Sequence, residues 1–176
     1  MSPIDEKRKF IPVNISVLTI SDSRTKEEDI SGNLLVQSIT DLGHLVYDRQ
    51  IIIDDISIIK EILLLWAANR NIDVIVTTGG TGLTGRDSTP EAIHEIADKI
   101  IEGFGELFRQ ISYKKIGTST IQSRALGAII NGTYVFALPG SKSACKDAWN
   151  EILKYQLDNR YTPCNFIEIM PRLLEV

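Results

Sequence analysis

Between Gly79 and Gly85 the sequence sets four glycines in seven positions, in the run Thr78-Gly79-Gly80-Thr81-Gly82-Leu83-Thr84-Gly85. Glycine tolerates positive φ and lets backbone approach a ligand without a Cβ in the way, so consecutive N–H groups there can surround an anion. The chemistry suggested is a phosphate cradle at Thr78, Gly79, Gly80, Thr81 and Gly82. A bare Gly-Gly-Thr-Gly fits an ordinary flexible turn equally well. Its context favours the cradle: an apolar β-branched run precedes it, and Thr89-Pro90-Glu91 follows as a helix start, with Thr89 as N-cap, proline in the first helical position and an acid in the first turn. A second segment, Pro139-Gly140-Ser141-Lys142-Ser143, repeats the logic on a smaller scale. Ser141 reads as an N-cap with free backbone donors ahead of it, which could hold a second phosphate, although capping alone accounts for it as well.

Two carboxylates belong with these loops. Asp54 and Asp87 each follow a strand, where an open α/β sheet gathers its ligands. Facing bound phosphates they would repel them unless a divalent cation intervened, and Mg²⁺, which takes oxygen ligands from one or two carboxylates together with phosphates, is the natural choice. Asp54 also suits a helix entry, the role preferred for its neighbour Asp55. Ser21-Asp22-Ser23-Arg24 follows the first strand in the same way. Arg86 can pair with Asp87 or meet phosphate charge. Cys145 reads as a buried structural thiol, His94 as a surface or half-buried helix residue, and His44 as a lone histidine at a strand start. Neither histidine has zinc-ligand spacing.

The elements that must position these residues are readable from periodicity. Residues 13 to 20 suit a buried strand, residues 31 to 42 a helix closed by Gly43, and Ile51-Ile52-Ile53 the end of a second strand. Ile58, Ile59, Ile62, Leu63 and Trp66 line one side of a second helix. Ile72 to Thr77 form a third strand, and a helix opens at Pro90. Alternation of strands and helices predicts parallel strands with helices on both faces. Leu126 to Ile130 and Thr133 to Leu138 flank Asn131-Gly132, the signal of a two-residue hairpin. The expected fold is thus a three-layer α/β sandwich, mostly parallel, with one antiparallel hairpin edge. The chain reads as a single domain over residues 1–176, with residues 1–11 a loose arm.

Composition limits the partners. The 176 residues are 43% hydrophobic and carry a net charge of -4, so a nucleic-acid partner is not expected; Lys114-Lys115 reads as a solvated helix end. Apolar runs such as Ile62 to Ala68 fall short of the roughly 20 residues that span a bilayer. Two cysteines, Cys145 and Cys164, without metal-ligand spacing and no apolar leader point to a reduced, cytoplasmic protein without membrane contact.

The loop also carries a resemblance. Gly79-Gly80-Thr81-Gly82, followed by Arg86-Asp87-Ser88-Thr89-Pro90-Glu91-Ala92, resembles the signature of the molybdopterin-binding Mog and B-protein family, which includes the amino-terminal domain of gephyrin. Ser21 to Arg24, Gly103 to Ser112 and Leu138 to Ser141 extend the likeness across roughly residues 10 to 168. Gly117 to Arg124 and Pro163-Cys164-Asn165-Phe166 look most like the B-protein branch. The resemblance implies a molybdopterin adenylyltransferase that joins ATP to molybdopterin with Mg²⁺ and releases pyrophosphate. It implies Asp54 and Asp87 as the functional, metal-binding aspartates, and Ser21, Asp22, Thr78 to Gly82, Pro139, Gly140, Ser141 and Ser143 as ligand-binding positions. It also implies a homotrimer or homohexamer and hand-over to a molybdate-insertion protein. Some B-proteins depart from the Arg-Asp pair, which is kept here as Arg86-Asp87. Two other functions compete: a non-catalytic molybdopterin-binding protein, and a nucleotide pyrophosphatase of the competence-damage type, whose Gly-Gly-Leu-Gly-Pro-Thr pattern the loop fits less well.

Overall fold

In the computed structural model, which describes residues 4–175, six strands form one sheet in the order β2-β1-β3-β6-β5-β4. These are β1 (Asn14–Ile20), β2 (Leu45–Ile52), β3 (Val74–Thr78), β4 (Lys99–Ile101), β5 (Leu126–Ile130) and β6 (Thr133–Leu138). The β2–β1, β1–β3 and β3–β6 pairs are parallel, whereas β5 is antiparallel to both β6 and β4. The expected mostly parallel α/β fold with an antiparallel edge is therefore present. The hairpin turn is built as its residues require, with Asn131 at φ 49° and Gly132 at φ 80°. The outermost strand, β4, was not foreseen: its three residues are too few to show a period.

Helices cover both faces. On one side α1 (Ile30–Leu42), α4 (Glu102–Ile116) and α5 (Lys142–Ala148), which continues through a π-helical turn at Trp149–Leu153, bury Leu35, Ile39, Phe104, Phe108, Cys145 and Trp149 against the sheet. On the other, α2 (Ile56–Ala68) and α3 (Thr89–Ile96) bury Ile59, Leu63, Trp66, Ala92 and Ile93. Each strand contributes to both cores by alternation, which is why the central strands are buried on successive residues rather than on every second one. Among the described residues no helix is long and apolar enough to cross a membrane.

Local sequence sets the helix ends. Asp29 caps α1 by accepting the Gly32 N–H at 2.9 Å, and Gly43, at φ 97°, closes it in the left-handed conformation. Asp55 caps α2 through the Ser57 and Ile58 N–H groups, the role expected for it. One expectation needs correction: the N-cap position of α3 is Ser88, not Thr89. The Thr89 hydroxyl turns back to donate to the Gly79 carbonyl at 3.0 Å, because the glycine loop folds directly over the helix start.

Residues 4–11 are held down along their length rather than loose. Asp5 donates its N–H to the Arg160 carbonyl, Arg8 bonds the Asn159 carbonyl and pairs with Glu168, and Ile11 donates to the Asn159 side chain. Residues 1–3 of that segment lie outside the described residues.

Candidate functional site

Because β2, β1, β3 and β6 are parallel neighbours, the four segments that leave their carboxyl ends form one row: Asp54, Ser21 to Arg24, the glycine loop, and Pro139 to Ser141. Backbone hydrogen bonds stitch the row together. Ser21 donates to the Ile52 carbonyl at 2.8 Å, Gly79 to Leu138 at 3.0 Å, and Thr89 to Gly80 at 3.0 Å.

Glycine is required where the row is tightest. Gly79 (φ 108°) and Gly80 (φ 63°) both occupy backbone that L side chains avoid. A Cβ on Gly79 would lie 2.1 Å from the Ile20 carbonyl oxygen, and one on Gly80 would lie 2.3 Å from the Thr89 hydroxyl and 2.5 Å from Asp54 Oδ2. The loop therefore passes directly over the end of β1 and against the Asp54 carboxylate.

Asp54 accepts the Ser88 N–H at 3.1 Å and the Ser88 hydroxyl at 2.5 Å, both on Oδ1. Burial raises its carboxyl above the ordinary value; the Ser88 bonds work against this, and the charges of Asp87 and Asp22 add to it. Asp87 accepts the Thr84 N–H at 2.9 Å and the Thr84 hydroxyl at 2.6 Å on Oδ2. Burial also works to raise Asp87, but the bonds from Thr84 and Gly82 and the charge of Arg124 outweigh it, so this carboxyl sits below its ordinary value. The other oxygen of each carboxylate is not taken up by the bonds to Ser88 and Thr84. Among the described residues no group of three or more His, Cys, Asp or Glu side chains is arranged to hold a metal by itself. Two hard carboxylates without a third suit a cation completed by phosphate oxygens and water, the habit of Mg²⁺.

A cleft of about 430 Å³ opens beside the loop. Of the positions singled out in the sequence, Gly79, Gly80, Thr81, Gly82, Asp87, Pro139, Gly140 and Ser141 line it. Asp54, Ser21 and Asp22 lie on the β1 and β2 side of Gly80 instead. Asp22 accepts the Asp54 N–H at 3.1 Å and pairs with Arg86 through contacts of 2.7 and 3.1 Å. Arg86 thus pairs with Asp22 rather than with Asp87, whose carboxylate is engaged by Thr84. Thr78 is fully buried, its hydroxyl donated to the Pro139 carbonyl at 3.0 Å, so it supports the row from beneath. Ser141 caps α5 through the Ala144 N–H, and Ser143 is an exposed neighbour of its hydroxyl.

Beneath the Pro139 turn sits Cys145, fully buried and within 3.3 Å of the Pro139 carbonyl; burial pushes its thiol up to about 11. It is the inert structural thiol expected. His94 is exposed, whereas His44 is buried at the opposite end of the sheet, accepting the Val13 N–H on Nδ1.

The rest of the cleft wall had not been recognised. Phe108, Ser112 and Ile116 come from α4, Gln122 and Ser123 from the segment before β5, and Ala144 from α5. Residues 108, 112 and 116 recur every fourth position on one helix face, a signal present in the sequence. They supply an apolar floor with two hydroxyls and an amide, next to the glycine loop.

Comparison with known proteins shows the family. Residues 16–159 match a family described as "probable molybdopterin binding domain". The chain is 46% identical over 158 residues to Molybdenum cofactor biosynthesis protein B of Escherichia coli K12, covering 90% of this chain and 93% of that protein. A crystal structure of a Molybdenum cofactor biosynthesis protein B superposes with a TM-score of 0.85 at 39% identity, over 94% of this chain and 98% of the other. The tungsten cofactor synthesizing protein MoaB of Pyrococcus furiosus does so with a TM-score of 0.77 at 37% identity, over 93% and 98%.

Proposed function

The chain belongs to the molybdopterin-binding domain family, and on that premise we propose that it adenylylates molybdopterin. A phosphate oxygen of molybdopterin attacks the α-phosphorus of ATP, a new P–O–P link forms, the bond to the β-phosphate breaks, and pyrophosphate leaves. The observation that carries this reading is the single cleft walled by both glycine-bearing segments, Gly79 to Gly82 and Pro139 to Ser141, with Asp87 between them and the α4 floor.

The attacking group is already anionic, so catalysis rests on positioning and charge neutralisation more than on a general base. The N–H groups of Gly80 and Thr81 and the turn at Pro139 to Ser141 hold phosphates, while Phe108 and Ile116 face the pterin and keep water from it. Asp54 and Asp87 hold Mg²⁺, which supplies the positive charge that offsets the reacting phosphates. Asp22, paired with Arg86, fixes the Asp54 backbone. The same reading takes the active form as a homotrimer or homohexamer, which sedimentation resolves, and passes the product to a molybdate-insertion protein.

Asp87→Asn tests the assignment. Adenylyl transfer is expected to vanish while molybdopterin affinity, measured by fluorescence titration, stays nearly unchanged. Normal turnover by the variant would remove Asp87 from catalysis and favour a binding protein.

A further inference from the structure

Arg124 reaches the glycine loop from the other half of the sheet. It stands just before β5, 42 positions beyond Gly82, yet every polar contact it makes lies on residues 81 to 91. Its N–H donates to the Thr81 carbonyl at 3.2 Å, Nε to the Gly82 carbonyl at 2.7 Å, and Nη2 to the Asp87 carbonyl at 2.9 Å, while Nη1 pairs with Glu91.

The need for such a clamp follows from the loop itself. Leu83 to Arg86 are exposed, and the bonds that close this stretch are internal: Asp87 N–H to the Thr84 carbonyl at 3.1 Å, and Thr84 to the Asp87 carboxylate. A knot whose tie outward is the exposed Arg86–Asp22 pair keeps its shape but can still turn about its two ends. Those ends are Gly82 and Asp87, and one guanidinium binds the carbonyls of both. A planar fork with donors in fixed directions can do this, whereas the compact ammonium of lysine cannot reach the same acceptors together. Arg124 is anchored in turn: Ala125 beside it is buried, and the Ala125 carbonyl accepts from Arg109 at 3.2 Å.

We propose that Arg124 is the positioning residue of this site, orienting the loop so that the Asp87 carboxylate faces the cleft. It acts through the loop and does not touch the reacting atoms. The catalytic consequence rests on the adenylylation reading above; the clamp itself stands on geometry.

Wild type, Arg124→Lys, Arg124→Gln and Glu91→Gln are compared by hydrogen exchange over residues 82–88, thermal unfolding and steady-state kinetics. Both Arg124 variants are expected to exchange faster across 82–88, with β1 and β3 still protected. Their kcat is expected to fall about 100-fold, the scale of a misplaced catalytic group, with KM for molybdopterin little changed. Glu91→Gln, which keeps both carbonyl contacts, is expected to stay near wild type. Unchanged exchange over 82–88, or kcat restored by lysine, would overturn the proposal. If Arg124→Gln fails to fold, Arg124→Lys, which keeps charge and bulk, decides it. A wild type that makes no adenylylated product would remove the proposed function, while the exchange comparison would still decide the clamp.

Discussion

The two ends of the sheet use the same residue types differently. At the amino end Asp73 accepts the Asn14 N–H at 2.7 Å, Asp98 accepts the Asn131 N–H at 2.6 Å, and Asn159 bonds the backbone of Ile11 and Lys9. His44 lies buried there beside the Phe10 ring. Each of these side chains ties one loop to another. At the carboxyl end Asp54 accepts from Ser88 and Asp87 from Thr84, while Gly79 and Gly80 press backbone against the end of β1 and the Asp54 carboxylate. The carboxylates are bonded in much the same way at both ends; what sets the carboxyl end apart is the glycine backbone packed against Asp54 and the cleft that Asp87 lines.

Substitutions at the two ends should therefore separate activity from stability. The cleanest separation is expected for Asp54→Asn, which can keep the Ser88 bonds but loses the charge. Its kcat for adenylyl transfer should fall by about 10² to 10³, with the midpoint of unfolding near wild type. A variant of unchanged rate would move Asp54 into the structural group.

Gly80→Ala mixes the two. Positive φ and a Cβ crowding Thr89 and Asp54 together should cost about 2 to 4 kcal/mol in urea unfolding and abolish turnover. Full stability in that variant would show that the loop has room the structure does not suggest.

At the amino end, His44 should set a pH dependence of stability without touching catalysis. Burial lowers its pKa to about 4, against the opposing charge of Asp158, while the unfolded chain titrates near 6.5. Between these values the unfolded state binds more protons, so this contribution is complete above pH 6.5 and is lost as pH falls toward 4. From pH 7.5 to 5.0 the wild type should lose about 2 kcal/mol more than His44→Gln, measured by denaturant titration at both values. Equal losses would mean that His44 titrates alike in the folded and the unfolded chain.

The smallest effect belongs to Asp73→Asn. Weakening one charge-assisted bond to Asn14 should cost about 1 kcal/mol with kcat and KM unchanged. A fall in kcat would blur the division between the ends.

Much of this arrangement was readable in the sequence, for identifiable reasons. The parallel strands stood out as β-branched apolar runs and α1 and α2 by their helical periods, and Asn131-Gly132 named its own turn. The row of loops followed from the rule that parallel strands present their carboxyl ends together. What escaped depended on contacts between distant segments. β4 is too short to show a pattern, and Thr89 looked like a cap until the glycine loop lay across it. Arg86 pairs with Asp22, which sits 64 positions away, and no local spacing announces that. The cleft floor of Phe108, Ser112 and Ile116 was present as a helical stripe, but nothing in the stripe alone told a ligand wall from a core face.

The central claim is that the carboxyl end transfers an adenylyl group to molybdopterin. Its most direct test is to incubate the purified protein with molybdopterin, ATP and Mg²⁺ and to measure adenylylated molybdopterin and pyrophosphate by mass spectrometry, with parallel reactions lacking the pterin or the metal. The account predicts both products in equal amounts, and neither when pterin or Mg²⁺ is omitted. Molybdopterin bound but unmodified, under conditions where an adenylyltransferase of the same family turns over, would contradict it, as would ATP hydrolysis that proceeds without pterin.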